Sequence, residues 1–399
     1  MTGNALVIAG GVWQLPLIQF LKRKGYRVTV VDPYLTSKGV LVCDHHIQLD
    51  VREKEQILAQ IDREYDLVCT DQSDISVGTV SYLAKKLGLN GNDEEVVEKF
   101  SNKYRSRQYA KSIGVPCPDF TSVRTLCEMK AFIQSAGYPL MIKPCDSQSS
   151  KGIHRIDAGL SDTELQAYLD DALQYSFIGE AILEQFLTGY EITVDGFCAY
   201  GKHQVLAISR KKHFKTGIAS TLTYPAPLPE ELEKRIIQTD NRYVEESGLM
   251  FGPTHAEYMV DEEKGEFNLV EIACRGGGTL LSSDVVPWVS GFDTYDAFLK
   301  CLTGDPVDIA GFKPLKRSAE LHFFDFGDGE IAMLSGIEEA AKTEGVLLLD
   351  FDFRVGDVLK SCQDDRSRQG FVIVLADNPT QLQERIQRVC NTIQIALKP

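Results

Sequence analysis

No stretch of this 399-residue chain approaches the ~18 to 20 uninterrupted apolar residues of a membrane span, which argues against a membrane partner. A CxxC pair is also missing. The ten cysteines are scattered, mostly inside apolar runs such as LVCT and DGFCAY, as expected of reduced core thiols in a reducing cytosol. Basic charge is in short supply: 42 Lys and Arg stand against 57 Asp and Glu. The resulting formal charge of -15 disfavours nucleic acid, whose binding draws on lysines and arginines that release counterions. The opening MTGNALVIAGG has no basic leader and runs straight into a strand pattern, so the expected location is cytoplasmic. A GxxxxGK[ST] loop is absent, which excludes the ordinary P-loop fold.

What is present is an alternation of short β-branched runs and amphipathic stretches. ALVIAGG, YRVTVVD and DLVCTD read as strands, and WQLPLIQFLKRKG, KEQILAQIDREY and SVGTVSYLAKKLG as helices between and after them. Residues 1–95 are therefore predicted to form a Rossmann-like unit with a parallel sheet. Gly10, Gly11 and Asp32 raise a dinucleotide site, but the GxGxxG pattern is incomplete. After residue 114 the texture becomes α+β. The stretch THAEYMVDEEKGEFNLVEIACR reads as a hairpin, and 315–399 as two strands followed by a closing helix over TQLQERIQRVCNTIQIAL. The fold class is thus mixed α/β and α+β.

On the predicted hairpin, Glu257 and Glu271 stand on opposing strands, where pairing brings two carboxylates to one face as ligands for a divalent cation. Arg275 follows four residues later, ahead of Gly276, Gly277 and Gly278. A guanidinium suits phosphate or carboxylate, and a bare backbone allows close approach to an anion, so the stretch is suited to phosphoryl chemistry. Lys143 ends the strand PLMIK before the small-residue loop PCDSQSSKG, whose amides and hydroxyls suit phosphates. AILEQFLTGYEITVDG carries Glu184 and Glu191 around a corner, a segment able to read a base by its backbone and a ribose by a carboxylate. His255 shares the strand face of Glu257, which leaves pocket lining open to it, with core packing the expected role. His45 and His46, adjacent on a strand, point to opposite faces and make a poor metal pair.

Lys103, Lys143 with its loop, EQFLTGYE, and Glu257 and Glu271 followed by Arg275 resemble, in this order, the ATP-grasp superfamily. The similarity is to the branch of biotin carboxylase, the purine-pathway ligases and the bacterial L-amino acid ligases. It implies an N-terminal pre-ATP-grasp domain over 1–95, an ATP-grasp domain over 96–310 with a lid at about 115–187, and a small C-terminal α+β domain over 311–399. It further implies ATP with magnesium, or manganese in its place. Lys103 and Lys143 match phosphate-binding lysines, and Ser147, Ser149, Ser150 and Gly152 the closing loop. Glu184, Gln185, Phe186 and Leu187 match the adenine hinge, and Glu191 the ribose carboxylate. Glu257 and Glu271 match metal ligands, and Arg275 the arginine that steadies an acyl phosphate. One cation among Arg210, Lys211 and Lys212 is expected at the γ-phosphate, with Lys212 taken as that residue. Ala273 departs from the family's E-x-N pattern and puts a second metal ion in doubt. The implied reaction joins a small-molecule carboxylate to an amine through an acyl phosphate, releasing ADP and phosphate; homodimers are common in such enzymes. Two alternatives stay open: a bicarbonate- or nucleotide-dependent relative, and a nucleotide-binding module whose catalysis has decayed.

Overall fold

The structure, a computed structural model, describes residues 3–147, 151–215, 218–362 and 367–398. Its first unit is a four-stranded parallel sheet in the order His45–Ile47, Arg27–Val31, Asn4–Ile8, Leu67–Cys69. The apolar runs of these strands are buried on both faces, by the helices Leu15–Arg23 and Asp74–Leu87 among others, as crossover connections require. The helix predicted through Tyr65 stops at Ala59, because Tyr65 is drawn into the core, where its hydroxyl donates to Thr29 Oγ1 at 2.9 Å. Asp32 is committed to its own loop. Its carboxylate accepts from the amides of Gly10 and Tyr34, each at 2.9 Å, and from Ser37 Oγ at 2.7 Å. A carboxylate so occupied is a loop staple, and the dinucleotide reading has no partner to stand on.

A second sheet, antiparallel, runs Phe120–Val123, Ala181–Gln185, Leu140–Pro144, His154–Ile156. Two helices, Leu126–Ala136 and Asp162–Gln174, pack on it, each opened by a capping box, Thr125 with Glu128 and Ser161 with Glu164.

The third and largest sheet has eight strands, from Glu266–Ala273 at one edge through Phe251–Asp261, Tyr190–Ala199, Lys202–Lys215, Ile218–Tyr224, Ser318–Phe323 and Phe371–Ala376 to Val346–Asp350. The C-terminal segment thus supplies three strands to this sheet besides a small sheet of its own, Val358–Leu359, Gly329–Ser335, Gln394–Lys398. The closing helix ends at Thr392, five residues short of its predicted end. Ile393 caps it and is buried, and Gln394–Lys398 form a strand, where the alternation QIALK suits a half-exposed edge.

The helix Glu230–Ser247 covers one face of the large sheet and carries Asp240 into it. Tyr258 donates its hydroxyl to Asp240 Oδ1 at 2.9 Å, and Oδ2 has no hydrogen-bond partner among the described residues. His203 stands 3.9 Å from Oδ2, occupied by Asn241 and Thr254, each at 2.8 Å. Burial pushes the Asp240 carboxyl up to about 7, with the Asp195 charge adding to it, and the same burial takes His203 down to about 4. Both side chains are therefore neutral at the same pH, near 6, and the cluster carries no charge there.

Candidate active site

The three sheets and the glycine run surround a cavity of about 1110 Å³. Its floor is one face of the large sheet. Because side chains alternate across a strand, His255, Glu257 and Met259 face the cavity while Ala256, Tyr258 and Val260 face the core.

The hairpin places Glu257 directly opposite Glu271 across adjacent strands, the pairing anticipated from the sequence. Two carboxylates so close repel unless countercharged, and each holds a lysine. Lys103, at the start of the helix Lys103–Ser112, lies 2.9 Å from Glu271 Oε1 and also donates to the Ser147 carbonyl at 2.8 Å. Lys211 lies 2.7 Å from Glu257 Oε1 and 2.5 Å from Glu191 Oε1, and His213 Nε2 is 3.2 Å from the other Glu191 oxygen. Burial alone raises the pKa of every carboxyl here, and the neighbours decide the outcome. Lys103 and Arg275 bring Glu271 down to about 2. Lys211 and His213 hold Glu191 well below the usual carboxylate range. Glu257 stays raised, since burial and the charges of Glu191 and Glu271 outweigh Lys211. The lysines respond in kind: burial works against their charge, yet Glu271 for Lys103 and Glu191 with Glu257 for Lys211 keep both ammoniums above their ordinary value.

Lys212 is corrected by this geometry. It is exposed and outside the cavity, whereas Lys211 points in. The cause is strand parity. Counting back from the turn at Tyr200 and Gly201, an unbroken ladder sets Arg210 opposite Glu191, but a bulge at Leu206 inserts one residue and brings Lys211 there instead. Arg210 turns to the other side and stacks on Tyr190, its guanidinium carbon 3.8 Å from the ring centroid.

Glu184 lines the cavity with the other hinge residues. Its carboxylate is buried in a double ion pair, with Arg107 Nε at 3.0 Å and with Lys143 Nζ. Burial raises its pKa, Arg107 and Lys143 pull it lower, and the net is a carboxylate held ionised. Glu184 therefore fixes Lys143 at the cavity wall. Gln185, Phe186 and Leu187 line the cavity beside it. The amides of Gln185 and Phe186 are spent on the carbonyls of Asp119 and Pro139, at 2.9 and 3.1 Å, and that of Leu187 has no acceptor among the described residues. Of the loop, Ser147 lines the cavity. Gly152 is buried against the helix Asp162–Gln174, where its φ of 64° and a Cβ 3.1 Å from Ala172 Cα both require glycine. Ser149 and Ser150 lie outside the described residues.

Arg275 reaches the cavity but is anchored behind it, Nη2 lying 2.6 Å from Asp74 Oδ2 in the N-terminal unit. Burial opposes its charge, and Asp74 with Glu271 more than restores it. The glycine run serves packing first. A Cβ on Gly276 would lie 2.1 Å from Ser282 Cβ, and one on Gly277 2.9 Å from Leu281. The Gly276 amide is taken by Asp71 at 3.0 Å, so only the amides of Gly277 and Gly278 lack a protein acceptor among the described residues. Asp71 gathers Ser282 Oγ at 2.5 Å and the Tyr295 hydroxyl at 2.9 Å as well, tying loop to sheet. His255 lines the cavity, with Nδ1 2.7 Å from Asp195 and Nε2 3.9 Å from Glu257, and is not merely core packing.

Asp71, Asp74, Arg107 and His213 were thus not singled out from the sequence, and Lys211 stood there as one of three candidate cations. The two aspartates had a signal: TDQSD follows a parallel strand at its carboxyl end, where open α/β sheets place their sites. Arg107, one helical turn beyond Lys103, had none that distinguishes it from a solvated arginine.

Residues 136–284 match the family model for an ATP-grasp domain, and residues 322–398 that for the L-amino acid ligase C-terminal domain 2. An uncharacterized protein of Sinorhizobium fredii is 24% identical over 347 residues, covering 86% of this chain and 70% of that protein. Alanine–anticapsin ligase of Bacillus subtilis is 25% identical over 251 residues, 57% of this chain and 53% of the ligase, so the match spans about half of that relative's length. The crystal structure of L-amino acid ligase from Bacillus licheniformis superposes with a TM-score of 0.80 at 20% identity, covering 100% of this chain and 99% of that one, which establishes the common fold.

Proposed function

With this chain an ATP-grasp ligase by its domains, we propose that it joins the carboxylate of one small molecule to the amine of another, in the manner of an amino acid ligase, forming ADP and phosphate. The observation that carries this reading is the cross-strand pair Glu257 and Glu271, each with a lysine, and Arg275 beyond them in the same cavity.

The donor set fits magnesium. Two carboxylates in direct register face the cavity, and no group of three or more potential ligands forms among the described residues, which suits an ion that completes its shell with phosphate oxygens and water. Glu257 and Glu271 would hold it; when bound, it neutralises the oxygens of the β- and γ-phosphates. The remaining work belongs to the chain. The Leu187 amide and the backbone around it read the base, and Glu191 the ribose. Lys143, fixed by Glu184, meets phosphate oxygens. Lys103 and Lys211 exchange their carboxylates for phosphates as the nucleotide enters.

The substrate carboxylate oxygen then bonds to the γ-phosphorus as the bond to the β,γ-bridging oxygen breaks and ADP departs. Arg275, kept in place by Asp74, and the amides of Gly277 and Gly278 bind the charge of the acyl phosphate. The amine nitrogen attacks the acyl carbon, the carbon–oxygen bond to phosphate breaks, and the nitrogen gives up a proton. A site closed from water protects the intermediate from hydrolysis.

The test is magnesium-dependent phosphate release from ATP against a matrix of single and paired amino acids and small carboxylic acids, with Glu271→Gln as the blank. Release confined to particular acid and amine pairs is expected. Release with bicarbonate and no amine would transfer the chain to a carboxylase reading, and silence with intact ATP binding to a binding module.

A further inference from the structure

Behind Lys103 lies a second, smaller chamber of about 170 Å³. Asp74, Lys103, Ser147 and Glu271 line both it and the main cavity, so the two spaces are neighbours across a partition of shared side chains. The lysine closes that partition. Its ammonium bridges Glu271 at 2.9 Å and the Ser147 carbonyl at 2.8 Å. At the inner end Phe100, Ser106, Arg107 and Ile272 are buried, whereas Arg52, Gly78 and Phe177 at the other end are exposed. The chamber therefore runs from solvent to the back of Lys103.

Two parts of the fold meet at its rim. Arg52 comes from the N-terminal unit and Phe177 from the loop after the helix Asp162–Gln174, and the guanidinium carbon lies 5.1 Å from the ring centroid. Asp50 takes Nε and Nη2 of Arg52 at 3.0 and 2.9 Å, and Nη1 has no acceptor among the described residues. The carboxylates of the wall are occupied: Asp74 by Arg275, and Asp146 by the Ser176 hydroxyl and the amides of Phe177 and Ile178. An anion in this space meets a cation at each end and little unanswered negative charge. Gly78 widens the mouth at a cost to its own helix. It stands inside Asp74–Leu87, where glycine is roughly 1 kcal/mol worse than alanine. A Cβ there would meet no atom beyond its own helix within 4 Å among the described residues, and its φ is not left-handed, so neither packing nor conformation requires glycine.

The chemistry proposed above gives such an opening a use. The γ-phosphorus is bonded first to the bridging oxygen of ADP and then to the acyl oxygen, so free phosphate is released between ADP and the new amide. It must wait for one of them unless a third side is open. We propose that the chamber is that side, a second opening of the active site through which inorganic phosphate leaves while ADP is still bound, passing from Lys103 toward Arg52. Phosphate as a product rests on the ligase reading; a path to the phosphate site that bound ADP does not block is independent of it.

The experiment follows inorganic phosphate over the intact protein by phosphorus-31 NMR, through the line broadening that exchange with a bound state produces, while MgADP is added. Broadening should persist at saturating MgADP. Gly78→Phe, which plugs the mouth, should broaden the phosphate line as wild type does without nucleotide and about tenfold less under MgADP, the behaviour of a gated exit. The nucleotide-free arm shows that this variant is folded, and Gly78→Ala should follow wild type throughout. No broadening at all, broadening that MgADP abolishes in wild type, or a Gly78→Phe response like that of wild type would overturn the proposal. The two readings part cleanly. Broadening that persists under MgADP, with no phosphate release from any acid and amine pair, removes the ligase and keeps the opening. Phosphate release together with broadening that MgADP abolishes does the reverse.

Discussion

The strand Phe251–Asp261 presents two carboxyl environments on its two faces. Toward the cavity, Glu257 stands in a field of Glu191, Glu271, Lys211 and Lys103, where charge is answered by charge. Toward the core, Tyr258 meets Asp240, where no cation is at hand and the carboxyl is left to keep its proton. Desolvation acts on both. The difference lies in the partners, and it separates a site prepared to exchange counterions from a cluster that only holds a helix to a sheet.

The largest effect should come from breaking the charged face. Glu271→Gln or Arg275→Ala is expected to lower turnover by roughly 10² to 10³-fold or more, the scale of losing one preorganised charge contact, while thermal melting shows a folded protein. Lys211→Met should act on the same scale. Near-normal phosphate release in all three would separate this face from catalysis.

Arg107→Met probes a charged pair that is sealed from water. Arg107 is 1% exposed and Glu184 3%, so the variant leaves a buried carboxylate with Lys143 alone and should cost about 3 kcal/mol in urea unfolding. A loss under 1 kcal/mol would mean that Lys143 suffices to compensate Glu184.

Asp240→Asn addresses the neutral face. The folded chain keeps this proton up to about pH 7, whereas the unfolded chain releases it near the ordinary value of 3.8. Its stabilising effect is therefore fully present below pH 3.8 and is lost as pH rises toward 7. Asparagine does not titrate, so the stability difference between wild type and variant should shift by about 2 kcal/mol from pH 5 to pH 7, in the variant's favour. Parallel pH curves would show that Asp240 is ionised in the fold.

The smallest effect is expected of Lys212→Met, an exposed residue on the far side of its strand, with phosphate release within about twofold of wild type. Paired with Lys211→Met, it tests the strand parity directly.

The element types were legible because they rest on alternation, which the sequence displays openly, but the exact register was not: an unbroken ladder from the four-residue turn sets Glu257 opposite Val270, and one extra residue there brings Glu271 opposite instead. The choice between Lys211 and Lys212 was not legible, since one bulged residue, Leu206, inverts the parity of everything after it and nothing in VLAI marks it. The ion pairing of Glu184 was hidden for another reason. Its partners, Arg107 and Lys143, lie 77 and 41 residues away, and a buried ion pair has no local pattern. The glycine run pointed to the cavity wall on an incomplete argument, for two of its three residues are small to admit Leu281 and Ser282.

The lysines seated on Glu257 and Glu271 have a bearing on the order of events in the cavity. A free divalent cation entering alone would have to evict an ammonium and leave it stranded beside the ion, two like charges in a confined space. A cation that arrives already complexed to a polyphosphate brings the anion that the displaced lysine can adopt. On the proposed reading, the paired carboxylates would thereby be shut to stray ions and open to the complex.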